Sequence, residues 1–531
     1  MTNPFTKEQK LFSICTPVFK DAYKQLPHFL STLNEQEYKE FEVIVVFDGK
    51  HTKGEKLLTK EMKKYPDMKV EYCVISHGGA PKARNTALDK SNGDYITFLD
   101  PDVYLYPGTL RRWANAFEEN PKINRVWGMY DVMDAEGNIK FAIGAIPVMP
   151  DGKVYYEAFK YQNYCSGAFP IRKEVCPRWG EEIKSLQDWD LMIQMLKPDF
   201  KGEDMMYVND SFFATAYPHD KGISADSHRN WIDRSQYVRN KNDIPINDIC
   251  VASHGAPWHG INIAKTLGAD YLPMPSFKEH EYKTVYLLGF FTQEDPNNSG
   301  IVTQAHMQTF ERNKGANIIH WIGSDIMQLR WNNSFEKLKA LRNWFKKNNI
   351  VHLCEAEFTR KELSEIGIKA KVVPLPPQKL YDPMELPEEF SVAIYNNKSA
   401  VYQQELMESV VRSMPDVHFY FFGNEETKGE KGDNFEHLGF VDMDEWLPKW
   451  SCNLRVTLHD GLPLTPLQFL TAGRNVVTNV PIKGSIQANT RTEIVKGIRE
   501  AQKTNLDGKI GKYWKKQLEF KKFIKSIRGY K

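Results

Sequence analysis

The sequence lacks an apolar run of the 18 to 20 or so residues that would be needed to cross a bilayer. Its first residues, MTNPFTKEQK, also lack the apolar core of a secretory signal peptide. The seven cysteines stand singly, without a CxxC pair, which argues against a disulfide framework and a structural zinc site. We therefore expect a cytoplasmic protein. Contact with a membrane would be peripheral only, through the basic C-terminal tail.

An excess of charge of one sign is lacking as well. Lys and Arg number 70 against 68 for Asp and Glu, which leaves a net charge of +2. This balance disfavours a nucleic-acid partner, because contacts to phosphates usually require a basic face. The chain has 531 residues, 41% of them hydrophobic, which predicts a globular protein of about three domains.

Strand and helix signals alternate in the first part of the chain. Short apolar, β-branched runs predict buried parallel strands: LFSICTPV, FEVIVVFDG, VEYCVIS and DYITFLD. A helix is expected to begin near Ala80. This alternation indicates an α/β fold with a doubly wound sheet. Ligands bind at the carboxyl ends of the strands in such sheets, so Asp48 and Asp100 are candidate site residues.

The rest of the chain repeats this alternation twice. A polar, charge-mixed segment precedes the first repeat, and PLPPQKLYDPMELPEE, with its five prolines, separates the two. We interpret both repeats as Rossmann-like domains and the C-terminal tail as a packed helix. The predicted parts are a first domain (1–225), a linker (226–247), a second domain (248–376), a hinge (377–389) and a third domain with the C-terminal helix (390–531).

Several polar residues carry possible chemistry. Asp100 and Asp102, two residues apart after a strand, are either a solvated turn or a pair of oxygen ligands for a divalent cation. Arg84 follows a Gly-Gly pair at a helix start, where it can face a phosphate or a base. His219 is a possible further metal ligand. Asp188 lies near the start of a helix, where an acid either stabilises the helix dipole or acts in chemistry.

Taken together, these segments resemble the family 2 glycosyltransferases of GT-A fold. The resemblance covers about residues 10–225 and rests on seven ordered segments: SICTPVF, EVIVVFDG, GAPKARNTAL, YITFLDPD, SGAFPIRKEV, QDWDL and YPHDKGIS. It implies a nucleotide-sugar donor, with UDP the favoured nucleotide, a divalent cation (Mn²⁺ or Mg²⁺), and inversion at the anomeric carbon.

The resemblance also implies a role for each matching residue. Those placed at the nucleotide-sugar are Pro17, Asp48, Arg84 and Asp100. Asp102 corresponds to the direct metal ligand, His219 to the histidine near metal and diphosphate, and Asp188 to the catalytic base. Two positions depart from the family pattern. The family has a second acid at the position of Phe47, and it has a glutamate at the position of Gln187. These departures make the choice of nucleobase less certain.

The last part of the chain resembles the C-terminal domain of GT-B glycosyltransferases, especially family 4, most clearly over residues 417–480. The resemblance implies that Asp460 and Gln468 contact a donor, although the family has a second acid where this chain has Gln468. Its usual Arg–Lys pair for the diphosphate is not evident, Lys398 being only a loose candidate. This half is therefore either a second transferase or a module that binds without catalysis.

The function expected from the sequence is that of a metal-dependent glycosyltransferase acting in glycan or polysaccharide synthesis. Its N-terminal GT-A module would transfer a sugar to an acceptor hydroxyl, and a GT-B-like pair of Rossmann-like domains would follow. Two alternatives remain: one active module joined to a non-catalytic binding module, and a transferase that modifies DNA or protein instead of a carbohydrate.

Overall fold

A computed structural model of the chain describes residues 10–134, 136–143, 154–161, 163, 166–197, 202, 204–216, 231–245, 247–253, 257–272, 282–292, 299–331, 333–377, 379–396 and 399–530. The chain divides into two compact units. The first consists of Met1–Ile246 with Lys278–His280, and the second of Asn247–Phe277 with Glu281–Lys531.

The first unit contains one mixed sheet with helices along the chain between its strands. The strands are β1 (Phe12–Val18), β2 (Phe41–Asp48), β3 (Lys69–Ile75), β4 (Tyr95–Phe98), β5 (Val103–Leu105), β6 (Arg125–Met133), β7 (Ile139–Ile143), β8 (Ile171–Arg172) and β9 (Met205–Ala216). The helices are α1 (Leu26–Asn34), α2 (Thr52–Met62), α3 (Ala80–Lys90), α4 (Thr109–Glu119), α5 (Gln187–Leu196) and α6 (Trp231–Lys241).

The strand order of this sheet is β3-β2-β1-β4-β8-β6-β9-β5, with β7 paired to β6. The pairs β3–β2, β2–β1 and β1–β4 are parallel, as the apolar runs predict. The order reverses at β1, and such a switch point is where ligands bind in open α/β sheets. Strand β3 differs from the prediction, because it lies at the edge of the sheet and leaves Tyr72 and Val74 about 40% exposed.

Pro17 sits near the carboxyl end of the central strand β1. A proline has no backbone N–H, so it normally cannot occupy a strand that is paired on both sides. The ladder between β1 and β4 ends with Cys15 opposite Phe98, and at Pro17 only the pairing with β2 continues. Pro17 is tolerated because β4 has already turned away into the segment that contains Asp100.

The second unit contains two further sheets. Its strands are β10 (Ile249–Ser253), β11 (Asp270–Tyr271), β12 (Thr284–Leu288), β13 (Ala316–Trp321), β14 (Ile350–Cys354), β15 (Lys371–Val372), β16 (Ser391–Tyr395), β17 (His418–Phe422), β18 (Lys431–Gly432), β19 (Phe435–His437), β20 (Cys452–Arg455), β21 (Asn475–Thr478) and β22 (Ile486–Gln487). The first sheet is wholly parallel in the order β11-β10-β12-β13-β14-β15, and the second has the order β18-β19-β17-β16-β20-β21-β22.

The helices of the second unit are α7 (Pro257–Leu267), α8 (Ser299–Arg312), α9 (Ser324–Trp331), α10 (Phe335–Lys347), α11 (Glu357–Glu365), α12 (Gln404–Arg412), α13 (Met443–Trp446), α14 (Leu464–Thr471), α15 (Arg491–Ala501), α16 (Gly508–Gln517) and α17 (Phe520–Arg528). The tail forms two helices where one was predicted. Leu518, Phe523 and Ile527 are buried, whereas Phe520 is 39% exposed.

The segment expected to be a linker contains α6, and this helix packs on the first unit. Val238 is fully buried in the core of that unit. Lys241 Nζ and Asn242 Nδ2 donate hydrogen bonds to the buried carboxylate of Asp190, at 2.8 and 2.7 Å. Because Asp190 lies on α5, these bonds fix the helix on which Asp188 is placed.

Candidate functional site

The centre of the candidate site is the buried guanidinium of Arg84, on α3. Its Nη2 donates to both carboxylate oxygens of Asp100, at 2.9 and 3.1 Å, and its Nη1 donates to Gln187 Oε1 at 2.8 Å. The guanidinium also lies 4.4 Å from the centre of the Trp179 ring. This arrangement ties together α3, the segment after β4, and the start of α5, which are far apart in the sequence.

The electrostatics show which carboxylates surround Arg84. Burial lowers the pKa of this guanidinium, but the negative charges of Asp100, Asp188 and Asp102 raise it, and the pKa lies above its ordinary value as a result. Three of the residues predicted for the site are therefore close enough to interact with one cation. Arg84 Nε is also buried and has no hydrogen-bond partner in the described part of the chain.

Asp188 is the second residue of α5. Burial raises the pKa of its carboxyl above the ordinary value, Arg84 lowers it, Asp100 raises it, and a backbone hydrogen bond from Gly167 lowers it; the net change is upward. A Cβ added to Gly167 would lie 3.1 Å from Asp188 Oδ1 and 2.5 Å from the Trp179 ring, so only glycine leaves room here. A raised carboxyl pKa suits a general base, because it makes the carboxylate a stronger proton acceptor.

The residue that precedes α5 has an uncommon backbone conformation. Leu186 has φ 63° and ψ 31°, in the left-handed region, although it is not a glycine. A bulky residue there costs on the order of 1–3 kcal/mol, and such strain persists only where the surrounding structure enforces it. Leu186 is buried in the core, and the turn that it makes sets the direction in which α5 presents Gln187 and Asp188.

Asp48 lies at the carboxyl end of β2 and holds the loop before α3. Its Oδ1 accepts a hydrogen bond from Gly78 N at 2.7 Å, and its Oδ2 accepts from Gly79 N at 3.0 Å and contacts His77 Nδ1 at 2.9 Å. The His77 ring stacks on Phe19, with 4.8 Å between centroids and 9° between planes. This aromatic pair was not predicted from the sequence, although the aromatic residue directly after β1 could have signalled it.

Metal ligation was predicted for Asp102 and His219. His219 lies outside the described residues. Within the described ranges, no group of three or more His, Cys, Asp or Glu gathers as a metal site. The carboxylates present, those of Asp100 and Asp102, fit a hard cation such as Mg²⁺ or Mn²⁺, because Mg²⁺ usually takes one or two carboxylates and completes its shell with substrate phosphates and water.

The two site residues predicted in the second unit have other partners. Asp460 Oδ2 accepts a hydrogen bond from Arg455 Nε at 2.7 Å, and the Arg455 guanidinium lies over the rings of Tyr395 and Tyr402 at 5.5 and 5.2 Å. Gln468 Nε2 donates to the Lys379 carbonyl at 3.2 Å. Lys398, the loose candidate for the diphosphate, lies outside the described residues.

The loop after Asp460 joins the two sheets of the second unit. Leu462 N donates to Glu355 Oε2 at 3.0 Å, so the residue that follows β14 of one sheet is bonded to the loop after β20 of the other. A Cβ on Gly323 would lie 2.1 Å from Gly461 N. The carboxyl ends of both sheets thus meet at a backbone contact that only glycine permits.

Comparison with known proteins gives a family match within the first unit. Residues 13–179 match the family model described as Glycosyl transferase family 2. Over these residues the match confirms the resemblance predicted from the sequence, whereas the segments QDWDL and YPHDKGIS, with Asp188 and His219, lie beyond it. The GT-B resemblance predicted for the C-terminal part stays a prediction.

Relatives with curated names are glycosyltransferases. An uncharacterized glycosyltransferase of Haemophilus influenzae is 34% identical over 128 residues, which cover 24% of this chain and 50% of the relative. The poly(ribitol-phosphate) β-N-acetylglucosaminyltransferase TarS of Staphylococcus aureus is 31% identical over 111 residues, which cover 20% of this chain and 19% of TarS. The chain thus spans half or less of the length of these relatives.

Solved structures with distant similarity carry related names. S. aureus TarS 1–349 in complex with UDP has a TM-score of 0.33 and 18% identity, over 44% of this chain and 68% of that one. A mannosyltransferase from Pyrobaculum calidifontis in complex with GDP-Man and Mn²⁺ has a TM-score of 0.32 and 16% identity, over 42% of this chain and 61% of that one. Within the described residues, no helix is long and apolar enough to span a membrane.

Proposed function

We propose that the first unit transfers a sugar from a nucleotide-sugar, with UDP as the favoured nucleotide, to a hydroxyl of a carbohydrate acceptor in glycan synthesis. The observation that carries this proposal is the convergence of Asp100, Asp102 and Asp188 on the buried Arg84, next to the switch point of the sheet. The family model over residues 13–179 supports the same reaction.

The proton acceptor in this proposal is Asp188. Its carboxylate takes the proton of the acceptor hydroxyl while that oxygen attacks the anomeric carbon from the side opposite the leaving group. The bond from the anomeric carbon to the diphosphate oxygen breaks, and the nucleoside diphosphate leaves with the electron pair. One displacement of this kind inverts the anomeric configuration. Arg84 holds Asp100 through two hydrogen bonds, and its positive charge opposes the rise in the pKa of Asp188 that burial causes, which favours the ionised form of that carboxyl.

Donor binding is assigned to the carboxyl ends of β1, β2 and β4. Asp48 acts here through the loop that it holds, because its two oxygens already face Gly78 N, Gly79 N and His77. The stacked rings of Phe19 and His77 offer a flat surface to a nucleobase. Phe19 is 41% exposed, and the side chain of His77 is 63% exposed. Pro17 lies at the end of the adjacent strand.

A divalent cation, Mg²⁺ or Mn²⁺, would be held by Asp102 with Asp100, and His219 is the third candidate ligand. When bound, it would neutralise negative charge on the diphosphate. The protein's own contribution is to orient the two carboxylates, Asp100 through its paired contact with Arg84.

A nucleotide-release assay tests this proposal. The purified full-length chain is incubated with a panel of nucleotide-sugars, Mn²⁺ or Mg²⁺, and candidate acceptors. We expect Asp188→Asn to lower turnover by roughly 10²–10⁴-fold, as the loss of a positioned base does. Asp89→Asn is the matched control, because Asp89 is an exposed acid paired with Arg178. Equal turnover of wild type, Asp188→Asn and Asp102→Asn would contradict the assignment.

The second unit is proposed to be a GT-B-like module that binds a second nucleotide or the acceptor. Support comes from its two sheets, the first wholly parallel and the second parallel except at the pair β18–β19, and from the placement of Asp460 beside Arg455 where the carboxyl ends of the two sheets meet at Gly461. Nucleotide release that survives in Asp188→Asn and disappears on adding Asp460→Asn would indicate a second transferase. If Asp188→Asn alone abolishes nucleotide release, the second unit binds its ligand without catalysis.

A further inference from the structure

The positive charge of the protein is concentrated at its C-terminus. The last 24 residues, 508–531, contain nine Lys or Arg and one acid, Glu519, for a local charge of +8. The whole chain has a net charge of +2, so the remaining 507 residues sum to −6. An imbalance of this size marks a local interaction with anions, because the chain as a whole supplies no such field.

The last helix, α17, is held firmly by one of its faces. Phe523 and Ile527, four residues apart, are 2% and 0% exposed. The Phe523 ring meets the Tyr286 ring of β12 edge-on, with 6.4 Å between centroids. Arg528 Nη2 donates to the Leu267 carbonyl at 2.6 Å, at the end of α7. The helix therefore closes against the first sheet of the second unit.

The neighbouring face of α17 lines a hollow of about 470 Å³. Its lining residues come from a single helix face, at spacings of three and four, and from the edge strand β15: Lys522, Lys525, Ser526, Gly529, Tyr530 and Lys371. About 150 residues separate β15 from α17 along the chain, so the hollow exists only when the helix is docked. Three lysines thus line one concave site together with a serine and a tyrosine, and the ammonium group of one of them, Lys522, also donates to the Lys516 carbonyl.

The lining contains no carboxylate. In the part of the chain that the structure describes, neither Lys371 nor Lys525 has an acidic ion-pair partner. Lys371 Nζ lies 5.8 Å from the centre of the Tyr530 ring, and Lys522 pairs with the half-exposed Glu519 only at 3.7 Å. Like charges gathered in this way repel each other, and a bound anion would remove that repulsion.

We propose that this hollow binds a phosphate group. Lysine ammonium groups recognise phosphate as point charges, and the hydroxyl groups of Ser526 and Tyr530 can donate to its remaining oxygens. The phosphate belongs either to a soluble phosphate compound or to the headgroup of an anionic lipid, since the site presents the same chemistry to both. This proposal does not rest on the transfer reaction proposed for the first unit.

The test uses the full-length chain and two double variants of equal charge. Lys371→Gln with Lys525→Gln alters the hollow, whereas Lys512→Gln with Lys521→Gln removes the same charge from exposed positions of α16 and α17 outside it. Binding is measured by calorimetry with inorganic pyrophosphate, and by sedimentation with vesicles of phosphatidylcholine alone or mixed with phosphatidic acid. Thermal unfolding confirms that each variant folds.

We expect the hollow variant to bind the phosphate probe about a hundredfold more weakly, with roughly tenfold for each lost ammonium contact, and the control variant to be nearly unchanged. A loss confined to pyrophosphate identifies a soluble phosphate ligand, and a loss confined to the acidic vesicles identifies a lipid headgroup. Equal weakening of both variants would show only unspecific attraction to the tail and would overturn the proposal. Failure of the wild type to bind either probe would also overturn it.

Discussion

Replacing Arg84 by methionine should destabilise the first unit by about 3 kcal/mol, because it removes a buried cation and leaves its partners in place. The variant loses the hydrogen bonds to Asp100 and Gln187, and the contact with the Trp179 ring. The side chain of Asp100 is 44% exposed, so water can replace part of the hydrogen bonding that Asp100 loses. The loss of unfolding free energy therefore falls at the low end of the range for broken buried ion pairs. Gln187 is only 9% exposed, so in the variant its Oε1 loses the hydrogen bond from Arg84 and water does not readily replace it.

The matched control is Arg178→Met. Arg178 also makes a paired contact with an aspartate, Asp89, at 2.6 and 3.2 Å, but both side chains are more than half exposed. An exposed pair of this kind contributes about 1 kcal/mol or less. Urea unfolding followed by tryptophan fluorescence measures both losses. Equal loss of unfolding free energy in the two variants would refute the claim that the Arg84 cluster is a buried electrostatic centre.

The same substitution has a kinetic consequence. Arg84 lowers the pKa of Asp188, and burial raises it. A base works in its ionised form, so the rate rises as the pH passes the pKa of Asp188. Without Arg84 that pKa moves further up, and the acidic limb of the kcat/KM profile should move to higher pH. An unchanged acidic limb would show that Asp188 is not the group that titrates.

Three further predictions concern other contacts. Gly461→Ala should destabilise the second unit, because the new Cβ would lie 2.1 Å from Glu355 Oε2. The control Gly508→Ala places its Cβ where no atom lies within 4 Å, and it should leave the thermal unfolding temperature nearly unchanged. Burial raises the pKa of Glu355 well above 4.5, so the folded state binds a proton that the unfolded state releases, and stability falls as the pH rises from about 4.5 towards that raised pKa. Glu355→Gln keeps an acceptor for Leu462 N and should flatten this dependence in urea titrations at several pH values; an unchanged slope would contradict it. Asp102→Asn should raise the Mn²⁺ concentration needed for half-maximal turnover about tenfold or more, and an unchanged requirement would exclude Asp102 as a ligand.

The parts of the fold that follow from local sequence were predictable. β-branched apolar runs identify buried parallel strands, and the polar residue at the end of each run then falls at the carboxyl edge of the sheet. Asp48 and Asp100 were placed in this way. Two tryptophans show the limit of local pattern, because they lie close together in the sequence and differ in burial: Trp321 is buried, but Trp331 is 65% exposed at the end of α9.

Long-range pairings in the site were not predictable from local pattern. The bond from Arg84 to Gln187 joins residues 103 positions apart, and neither periodicity nor propensity encodes such a pairing. Leu186 gives no hint of its left-handed backbone, since leucine is an unfavourable residue there and only the surrounding packing enforces it. The docking of α6 on Asp190 was missed for a similar reason: the polar composition of that segment resembles a linker, although Lys241 and Asn242 are used for buried hydrogen bonds.

The most direct test of the central claim is single-turnover transfer from a radiolabelled UDP-sugar, comparing the full-length wild type with Asp188→Asn and with the surface control Asp89→Asn. We expect all three proteins to bind the donor equally. Wild type and Asp89→Asn should form the glycosylated product at the same rate and with inverted anomeric configuration, and Asp188→Asn should be slower by roughly 10²-fold or more. Product formed by Asp188→Asn at the wild-type rate would contradict the assignment of Asp188 as the base.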